Sequence, residues 1–234
     1  MSALYLLPNT LGDSRTEYTI PSEVKNIICG LKIFATENPA DTKRFLKILN
    51  KNISLDSIRF ITLDKNSSCE TLRELSVLIE KNDIGVISEA GCPGIADPGA
   101  ELVEIAHKKG VKVVPLVGPS SILLALIASG LNGQNFAFHG YLPVKEHERT
   151  KKLKQLERSS AMEHKTQIFI ETPYRNVKLY DALLNTLHND TRLCIAAALT
   201  CPDEYIRTYT VVEWRGTPCP DIHKKPAIFL FIAG

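Results

Sequence analysis

The segment that decides the fold is SEAGCPGIADPG, residues 88–99. It follows the apolar run Ile84–Ile87, which is typical of a buried strand, and it precedes a helical pattern. Gly91 and Gly94 leave the backbone bare, so a ligand can approach its N–H and C=O groups, and Pro93 stiffens the loop. Open α/β sheets bind ligands where such a loop leaves the carboxyl end of a central parallel strand. The segment therefore predicts a ligand-binding loop in an α/β domain.

The end of this segment has a structural explanation of its own. Asp97 is expected to be the N-cap of the following helix, with Pro98 at the first helical position, because both residue types are favoured there. A helix start thus accounts for Asp97, Pro98 and Gly99. It does not account for the stretch from Glu89 to Gly94, which indicates a ligand.

The charges of the loop indicate which ligand it binds. Glu89 and Asp97 lie near its two ends, and it contains no lysine or arginine. It matches neither the dinucleotide fingerprint G-x-G-x-x-G nor the P-loop pattern G-x-x-x-x-G-K-[ST]. Such a loop repels a phosphate and attracts a cationic group. S-Adenosylmethionine fits this requirement, because it carries a sulfonium and an α-amino group.

The whole chain predicts two α/β domains, 1–117 and 118–234. In the first domain, strand and helix patterns alternate, which implies right-handed crossovers and a mostly parallel sheet. The predicted strands are Leu4–Leu7, Lys32–Ala35, Ile58–Leu63, Ile84–Ser88 and Val111–Leu116. The predicted helices are Pro21–Leu31, Asp41–Leu49 with Asp41 as its cap, Cys69–Asn82 and Pro98–Lys109.

The second domain is expected to contain a mixed sheet. Its last three strands follow one another with no helix between them, and Tyr205–Trp214 alternates as an antiparallel strand does. The predicted strands are Phe136–Tyr141, Gln167–Glu171, Leu193–Leu199, Tyr205–Trp214 and Ala227–Ile232. The predicted helices are Ser120–Ser129, Glu146–Ser160 and Arg175–His188.

Composition restricts the function classes. The 234 residues are 44% hydrophobic, enough for a substantial core, and the formal net charge of +2 does not indicate a strongly basic nucleic-acid binder. The six cysteines form no C-x-x-C pair and have no histidine at zinc-like spacing, so we expect reduced thiols, a cytoplasmic protein and no metal site. Neither a signal peptide nor a membrane span is predicted, since the apolar stretch Val113–Leu131 is interrupted by prolines and a glycine.

Five segments carry a resemblance to a known family. They are Leu7–Asp13, a loop after the first strand; Ser88–Pro93 continued by Asp97–Gly99, similar to S-D-A-G-T-P and D-P-G; Val117–Ser121, similar to a P-G-P turn between domains; Phe169–Arg175, similar to F-Y-E-S-x-x-R; and Pro226–Ile228 followed by Gly234. Together they resemble the tetrapyrrole methylase superfamily, S-adenosylmethionine-dependent transferases with two α/β domains and the cofactor in the cleft between them. The most similar branch contains the bacterial enzymes that methylate a ribose 2′-hydroxyl of a cytidine in small-subunit ribosomal RNA.

This resemblance implies a methyltransferase that uses S-adenosylmethionine, forms a homodimer and acts on ribosomal RNA or the small ribosomal subunit. Carried over position by position, it implies a cofactor site made of Leu11, Ala90, Gly91, Cys92, Ile95, Ser120, Ser121, Leu199, Pro226 and Ala227. Ser120 and Ser121 are equally suited to cap the next helix. Leu199 and Ala227 are equally suited to a core.

Two departures from the branch concern substrate recognition. The branch has E-D-T-R after its second strand, where this chain reads Glu37-Asn38-Pro39-Ala40. It has T-P-I-G-N in the first loop, where this chain reads Asn9-Thr10-Leu11-Gly12-Asp13. Two alternatives therefore stay open: a methylase of a tetrapyrrole or another small molecule, and a catalytically inactive, cofactor-binding module of ribosome assembly.

Carboxylates that follow predicted strands are the candidates for proton transfer. A ribose hydroxyl is a poor nucleophile, and a positioned base accelerates such reactions by about 10²–10⁴-fold. Glu171, Glu89 and Asp97 are the candidate bases. Arg175 is expected either to hold an acidic or phosphate group of the substrate or to form an ion pair with Glu171.

Basic and aromatic side chains are the candidate RNA contacts. The basic helical segment contains Lys145, Arg149, Lys151, Lys152, Lys154 and Arg158. These residues form either a solvated helix face or, with an RNA substrate, a phosphate-binding surface. Tyr141 and Tyr174 are either structural or available to stack on a base.

Overall fold

The structure, a computed structural model, describes residues 2–12, 15–64 and 67–234. Asp13, the last residue of the predicted first loop, lies outside the described residues. The chain divides into two compact units, Met1–Ser120 and Ser121–Gly234. Each unit contains its own five-stranded sheet.

The sheet of unit 1 is parallel, which confirms the prediction. Its strands are β1 Ala3–Leu7, β2 Ile33–Thr36, β3 Arg59–Thr62, β4 Ile84–Ile87 and β5 Lys112–Pro115, in the spatial order β3-β2-β4-β1-β5. Its helices are α1 Thr16–Thr19, α2 Ser22–Gly30, α3 Pro39–Leu49, α4 Cys69–Leu78 and α5 Ala100–Lys108. The predicted buried strand β4 therefore lies inside the sheet, with β2 on one side and β1 on the other.

Helices cover both faces of this sheet. Leu7 belongs to one apolar cluster with residues of α2 and α3, whereas Leu4 belongs to a second cluster with residues of α4 and α5. Leu4 and Leu7 are an odd number of positions apart in one strand, so their side chains point to opposite faces. The chain thus leaves β1 towards one face and β4 towards the other. Such a reversal between neighbouring strands opens a crevice at the carboxyl edge of the sheet.

The sheet of unit 2 is mixed, as expected. Its strands are β6 Phe136–Tyr141, β7 Thr166–Ile170, β8 Arg192–Ala197, β9 Tyr205–Thr210 and β10 Ala227–Ile232, in the spatial order β6-β7-β10-β8-β9. Its helices are α6 Ser121–Ser129, α7 Glu146–Glu163, α8 Asn176–Thr186 and α9 Val211–Arg215, with a 3₁₀ turn at Pro173–Arg175. β6 and β7 are parallel, and the other pairs are antiparallel.

Both faces of this second sheet are also covered. The larger core joins α7, α8 and α9 to the sheet, and Trp214 of α9 donates its indole N–H to the carbonyl of Leu193 at 2.8 Å. Tyr209 packs against this core. Its neighbour Thr208 points to the other face and donates to the carbonyl of Ser129 in α6 at 2.7 Å. Helix α6 therefore covers the second face.

The expected start of α5 is wrong. The helix begins at Ala100, and its N-cap is Gly99 at φ +128°, not Asp97. The N–H of Gly94 donates to the carbonyl of Pro98 at 3.2 Å, which closes a turn over these residues and keeps Pro98 outside the helix. The loop after β4 is thus longer than predicted, and capping no longer explains Asp97.

The expected cap of α3 is also wrong. Asn38, not Asp41, accepts the N–H groups of Ala40 and Asp41, at 3.0 and 3.4 Å, and Pro39 occupies the first turn. Asp41 instead accepts the side-chain amide of Asn38 at 2.8 Å and pairs with Arg44. Asn38 and Pro39, which replace two residues of the E-D-T-R pattern, therefore begin a helix.

The predicted strand Tyr205–Trp214 is too long. It ends at Thr210, and α9 follows, so the expectation of no helix between the last strands is wrong as well. Thr210 and Glu213 form a capping box, in which each side chain accepts the other residue's backbone N–H. A capping box satisfies two backbone donors at a helix start, and here it ends the strand.

Candidate active site

A short hydrogen-bond pattern joins the loops that follow β1 and β4. The N–H of Asn9 donates to the carbonyl of Gly91 at 2.8 Å, and the N–H of Gly91 donates to the carbonyl of Thr10 at 3.4 Å. The buried side-chain amide of Asn9 donates to the carbonyls of Ser88 and Glu89, both at 3.0 Å. These bonds hold the two loops together at the carboxyl edge of the sheet.

Gly91 occupies a crowded position that requires a glycine. Its φ is +67°, a conformation that L side chains rarely adopt. A Cβ at this position would lie 3.2 Å from Cδ2 of Leu11 and 3.7 Å from the carbonyl oxygen of Pro119. A Cβ at Gly118 would lie only 2.0 Å from Cβ of Pro8, so the chain after β5 also packs against the loop after β1.

The structure brings together several of the predicted cofactor residues of unit 1. Leu11 and Gly91 are buried side by side, and Cys92 is half-buried with its thiol 3.5 Å from the carbonyl of Pro119. Ala90 and Ile95 belong to the same loop and are exposed. Burial raises the pKa of the Cys92 thiol, which keeps it protonated and unsuited to act as a nucleophile.

Carboxylates surround this edge of the sheet. The backbone N–H of Glu89 donates to the side chain of Glu37 at 3.3 Å, so acids from the ends of β2 and β4 lie close together. Glu89 is exposed, and Asp97 is partly buried farther along the same loop. These carboxylates suit a cationic ligand.

Ser120 and Ser121 flank the division of the chain. Ser120 is the last residue of unit 1, and Ser121 is the first residue of both unit 2 and α6. Both are half-buried.

Glu171 and Arg175 form an ion pair within unit 2. The Glu171 side chain is only 2% exposed and that of Arg175 is 35% exposed. One carboxylate oxygen, Oε1, accepts Nε and Nη2 of Arg175 at 2.9 and 2.6 Å and the N–H of Thr172 at 2.7 Å. This arrangement fixes the turn that follows β7. It matches the ion-pair alternative for Arg175.

The remaining predicted cofactor residues lie at a strained turn in unit 2. Leu199 is buried between Ala198 at φ +50° and Thr200 at φ +69°, and the N–H of Ala198 donates to the carbonyl of Pro226 at 2.9 Å. Pro226 is exposed and Ala227 is buried. The Thr200 hydroxyl is buried and has no hydrogen-bond partner among the described residues. Positive φ values in non-glycine residues cost about 1–3 kcal/mol each and cluster at functional sites.

Three residues of these two regions were not identified as site residues from the sequence. Asn9 and Glu37 follow the apolar strands β1 and β2, and that position was the available signal. Thr200 gave no signal, because its strain and its unpaired hydroxyl are visible only in three dimensions.

The basic helical segment is not uniformly exposed. Arg149 is 5% exposed and donates to the carbonyl of Val144 at 3.1 Å, so for this residue both alternatives, a solvated helix face and a phosphate-binding surface, are wrong. Lys151, Lys154 and Arg158 are exposed. They stay candidates for phosphate contacts.

Within the described residues, no group of three or more histidine, cysteine, aspartate or glutamate side chains is placed to hold a metal ion. Over the same residues, no helix combines the length and apolar character needed to cross a membrane. All six cysteines are free thiols.

Comparison with known proteins identifies the family. The sequence matches the family described as Tetrapyrrole (Corrin/Porphyrin) Methylases over residues 26–213. The chain belongs to this family. The methylase is 30% identical over 234 residues to "Ribosomal RNA small subunit methyltransferase I" of Vibrio cholerae, covering 99% of this chain and 77% of that one. It is 30% identical over 210 residues to the Escherichia coli O157:H7 protein of the same name, covering 90% of this chain and 70% of that one.

Two solved structures show the same fold. The methyltransferase CobJ aligns with a TM-score of 0.61 at 15% identity, over 98% of this chain and 92% of that one. Uroporphyrin-III-C-methyltransferase from Thermus thermophilus aligns with a TM-score of 0.53 at 16% identity, over 98% of this chain and 91% of that one. At these identities the likeness concerns the fold alone.

The methylase is an S-adenosylmethionine-dependent methyltransferase. Its residues fit this cofactor, because Glu37 and Glu89 lie close together at the ends of β2 and β4 and suit a cationic ligand, and because the loop after β4 contains no lysine or arginine. When bound, the cofactor supplies a methyl group that its sulfonium activates for transfer.

Proposed function

We propose that the methylase transfers a methyl group to a ribose 2′-hydroxyl of small-subunit ribosomal RNA. The observation that carries this proposal is the similarity to proteins named "Ribosomal RNA small subunit methyltransferase I", which extends over 99% of the chain. The two tetrapyrrole methyltransferase structures support the fold and not the substrate, since they are only 15–16% identical.

The proposed cofactor contacts follow from the loops described above. In unit 1 they are Leu11, Ala90, Gly91, Cys92, Ile95 and Ser120; in unit 2 they are Ser121, Leu199, Pro226 and Ala227. The bare, positive-φ backbone at Gly91 and the strained turn around Leu199 support these assignments. Thr200 joins this set, because its buried hydroxyl is available to a ligand.

The proposed reaction requires that the acceptor hydroxyl lose its proton while its oxygen attacks the methyl carbon. Glu89 is the exposed carboxylate at the end of β4 and is our first candidate base. Oε1 of Glu171 already accepts three hydrogen bonds, so the Glu171–Arg175 pair is suited to hold the turn after β7 in place. Holding the reacting groups in position contributes up to about 7–11 kcal/mol, more than general base catalysis does.

Variants of the candidate bases separate these roles. Replacement of the true base by its amide, in Glu89→Gln, Asp97→Asn or Glu171→Gln, is expected to lower kcat by about 10²–10⁴-fold. Cofactor affinity should be retained. A loss of cofactor binding in a folded variant would instead indicate a binding or positioning role.

The substrate test uses labelled S-adenosylmethionine and small ribosomal subunits that lack the modification. The expected result is label in the RNA at a ribose oxygen, which makes the adjacent linkage resistant to alkaline hydrolysis. A porphyrin and a corrinoid serve as parallel acceptors. Label in either of these and none in RNA would contradict the proposal, and binding without transfer to any acceptor would identify an inactive module.

The proposal includes a cytoplasmic homodimer. Helix α6 consists of apolar and small residues apart from its terminal serines, yet Leu123 is 53% and Ile127 is 77% exposed. Covering these side chains with a second copy would remove apolar surface from water. Light scattering after gel filtration should give twice the chain mass, and Leu123→Glu combined with Ile127→Glu should give the mass of one chain. A wild-type monomer would contradict this part of the proposal.

A further inference from the structure

Two exposed tyrosines flank the Glu171–Arg175 pair in unit 2. Tyr141 ends β6 and lies opposite Ile170, the last residue of the parallel strand β7. It is 51% exposed. Tyr174 lies in the 3₁₀ turn that follows β7 and is 74% exposed. Both rings therefore belong to the same carboxyl edge of the sheet.

The neighbours of Tyr174 support the turn that carries its ring. The imidazole of His223 meets the ring edge-on, with centroids 6.5 Å apart and planes at 81°. The adjacent Pro173 accepts the N–H of Lys224 at 3.1 Å. Asn176 anchors this second loop, because its buried amide donates to the carbonyls of Ile222 and Lys225 at 3.0 and 2.7 Å. The exposed ring thus lies on a supported turn.

Cations accompany this ring. The ammonium of Lys224 lies 5.9 Å from the centre of the Tyr174 ring, and the Arg175 guanidinium is partly exposed next to it in sequence. The nearby acids Asp203 and Asp221 both bind Lys225, at 2.8 and 3.0 Å. Lys224 is therefore the cation next to the ring that is available to a ligand phosphate.

Tyr174 does not serve as a core residue, because its ring is mostly exposed. Tyr180, six positions later, is 3% exposed and packs edge-on against Trp214. Tyr174 instead offers an exposed aromatic face, and the cations beside its ring are able to bind phosphate groups. That combination is used to bind single-stranded nucleic acid, in which unpaired bases stack on aromatic rings.

We propose that Tyr174 is a stacking platform for an unpaired base of a single-stranded RNA segment, with Lys224 contacting a neighbouring phosphate. This inference rests on the proposed function, since it specifies how the ribosomal RNA substrate is held. Tyr141, at the adjacent strand end, is placed to contact a second base. A duplex hides its base faces, so the target must be a loop or another unpaired segment.

The first test measures binding without methyl transfer. The full chain is titrated into a fluorescent, unstructured oligocytidylate of about 12 nucleotides, and anisotropy is recorded. Tyr174→Ala should weaken binding by about 5- to 150-fold, the loss of one stacked base. Tyr174→Phe and Tyr174→Trp should retain binding, because both keep an aromatic face. Lys224→Ala should reduce the slope of log affinity against log salt by about 0.7, one phosphate contact.

Tyr18→Ala is the matched control. Tyr18 is 77% exposed and has the guanidinium of Arg15 4.8 Å from its ring centre, so it presents similar chemistry in unit 1. Oligonucleotide affinity should not change in this variant. A loss in Tyr18→Ala as large as that in Tyr174→Ala would contradict a specific role of Tyr174.

The second test measures methyl transfer into undermethylated small subunits. Tyr174→Ala should lower kcat/KM, Tyr174→Phe should restore it, and cofactor affinity should stay unchanged. If the wild type transfers no methyl group to RNA, the proposed function fails, while the oligonucleotide titration still judges Tyr174. If the wild type is active and Tyr174→Ala keeps both its kcat/KM and its RNA affinity, the stacking platform is refuted. If Tyr174→Ala binds a porphyrin more weakly than the wild type does but binds RNA with unchanged affinity, the stacking platform is likewise refuted.

Discussion

The replacement Gly91→Val gives the sharpest test of the candidate cofactor site. Gly91 has φ +67°, and its first added carbon would lie 3.2 Å from the Leu11 side chain. Strain at such a φ costs about 1–3 kcal/mol. For a chain of this size, that cost lowers the melting temperature by about 2–12 °C. The protein should remain folded, because total stability is usually about 5–15 kcal/mol.

Gly110→Val is the matched control for backbone strain. Gly110 has the same φ of +67°, and no heavy atom lies within 4 Å of a Cβ built on it. It follows α5, outside the loop that contains Gly91. Both variants share the strain of a positive φ, whereas Gly91→Val also crowds Leu11 and should lose more stability. Only Gly91 lies in the loop proposed to contact the cofactor.

Calorimetric titration with S-adenosylmethionine distinguishes the two variants, and thermal unfolding checks that both are folded. We expect Gly91→Val to lose at least about 100-fold in affinity, the equivalent of about 2.8 kcal/mol, and Gly110→Val to bind normally. A folded Gly91→Val protein with wild-type affinity would refute the placement of the cofactor against this loop. Equal losses in both variants would show that strain, and not the occupied space, is responsible.

Three further predictions concern stability. Asn9→Ala should lower the free energy of unfolding by about 1–3 kcal/mol in urea titrations, because the buried carbonyl of Ser88 and the partly buried carbonyl of Glu89 lose their donor; an unchanged value would refute the bridging role. Arg175→Ala should lower the free energy of unfolding by about 2 kcal/mol. This is less than the roughly 3–5 kcal/mol for a fully buried pair, because the guanidinium is partly exposed. Adding Glu171→Gln should recover part of the loss, because it removes the unpaired buried charge. Burial raises the pKa of the Cys194 thiol to about 11 from about 9, so stability from the protonated thiol is present below pH 9 and is lost as pH rises towards 11. Urea titrations of Cys194→Ala should show a smaller alkaline loss than the wild type, and an equal loss would contradict this cause.

Much of the fold could be predicted from sequence because buried strands have a distinctive composition. The runs Ile84–Ile87 and Ala227–Ile232 are strands at the expected places, since continuous apolar residues suit strands covered on both faces. Helix starts were less predictable. Asp97 and Pro98 have the right propensities, but a hydrogen bond between Gly94 and Pro98 holds them in a loop. The spacing of Thr210 and Glu213 matches a capping box, which the strand alternation of Tyr205–Trp214 did not take into account.

The candidate site was predictable only in part. Glycines and acids that follow an apolar strand, as Gly91 and Glu89 do, can be recognised from the sequence alone. The role of Asn9 was not, because its partners are about 80 positions away along the chain. The strain at Thr200 was hidden for another reason, since neither threonine nor its neighbours predict a positive φ.

The position of β1 in its sheet has a consequence for biosynthesis. This first strand is inserted between β4 and β5, and Leu4 pairs with Ile84 and Val113, about 80 and 110 residues later. At a synthesis rate of about 5–20 residues per second, its partners emerge about 4–20 seconds after it. The apolar residues of β1 are without their sheet neighbours throughout that interval. The bridge between Asn9 and Gly91 also needs a partner made about 80 residues later, so a nascent chain cannot form the proposed cofactor loops until most of unit 1 has been made.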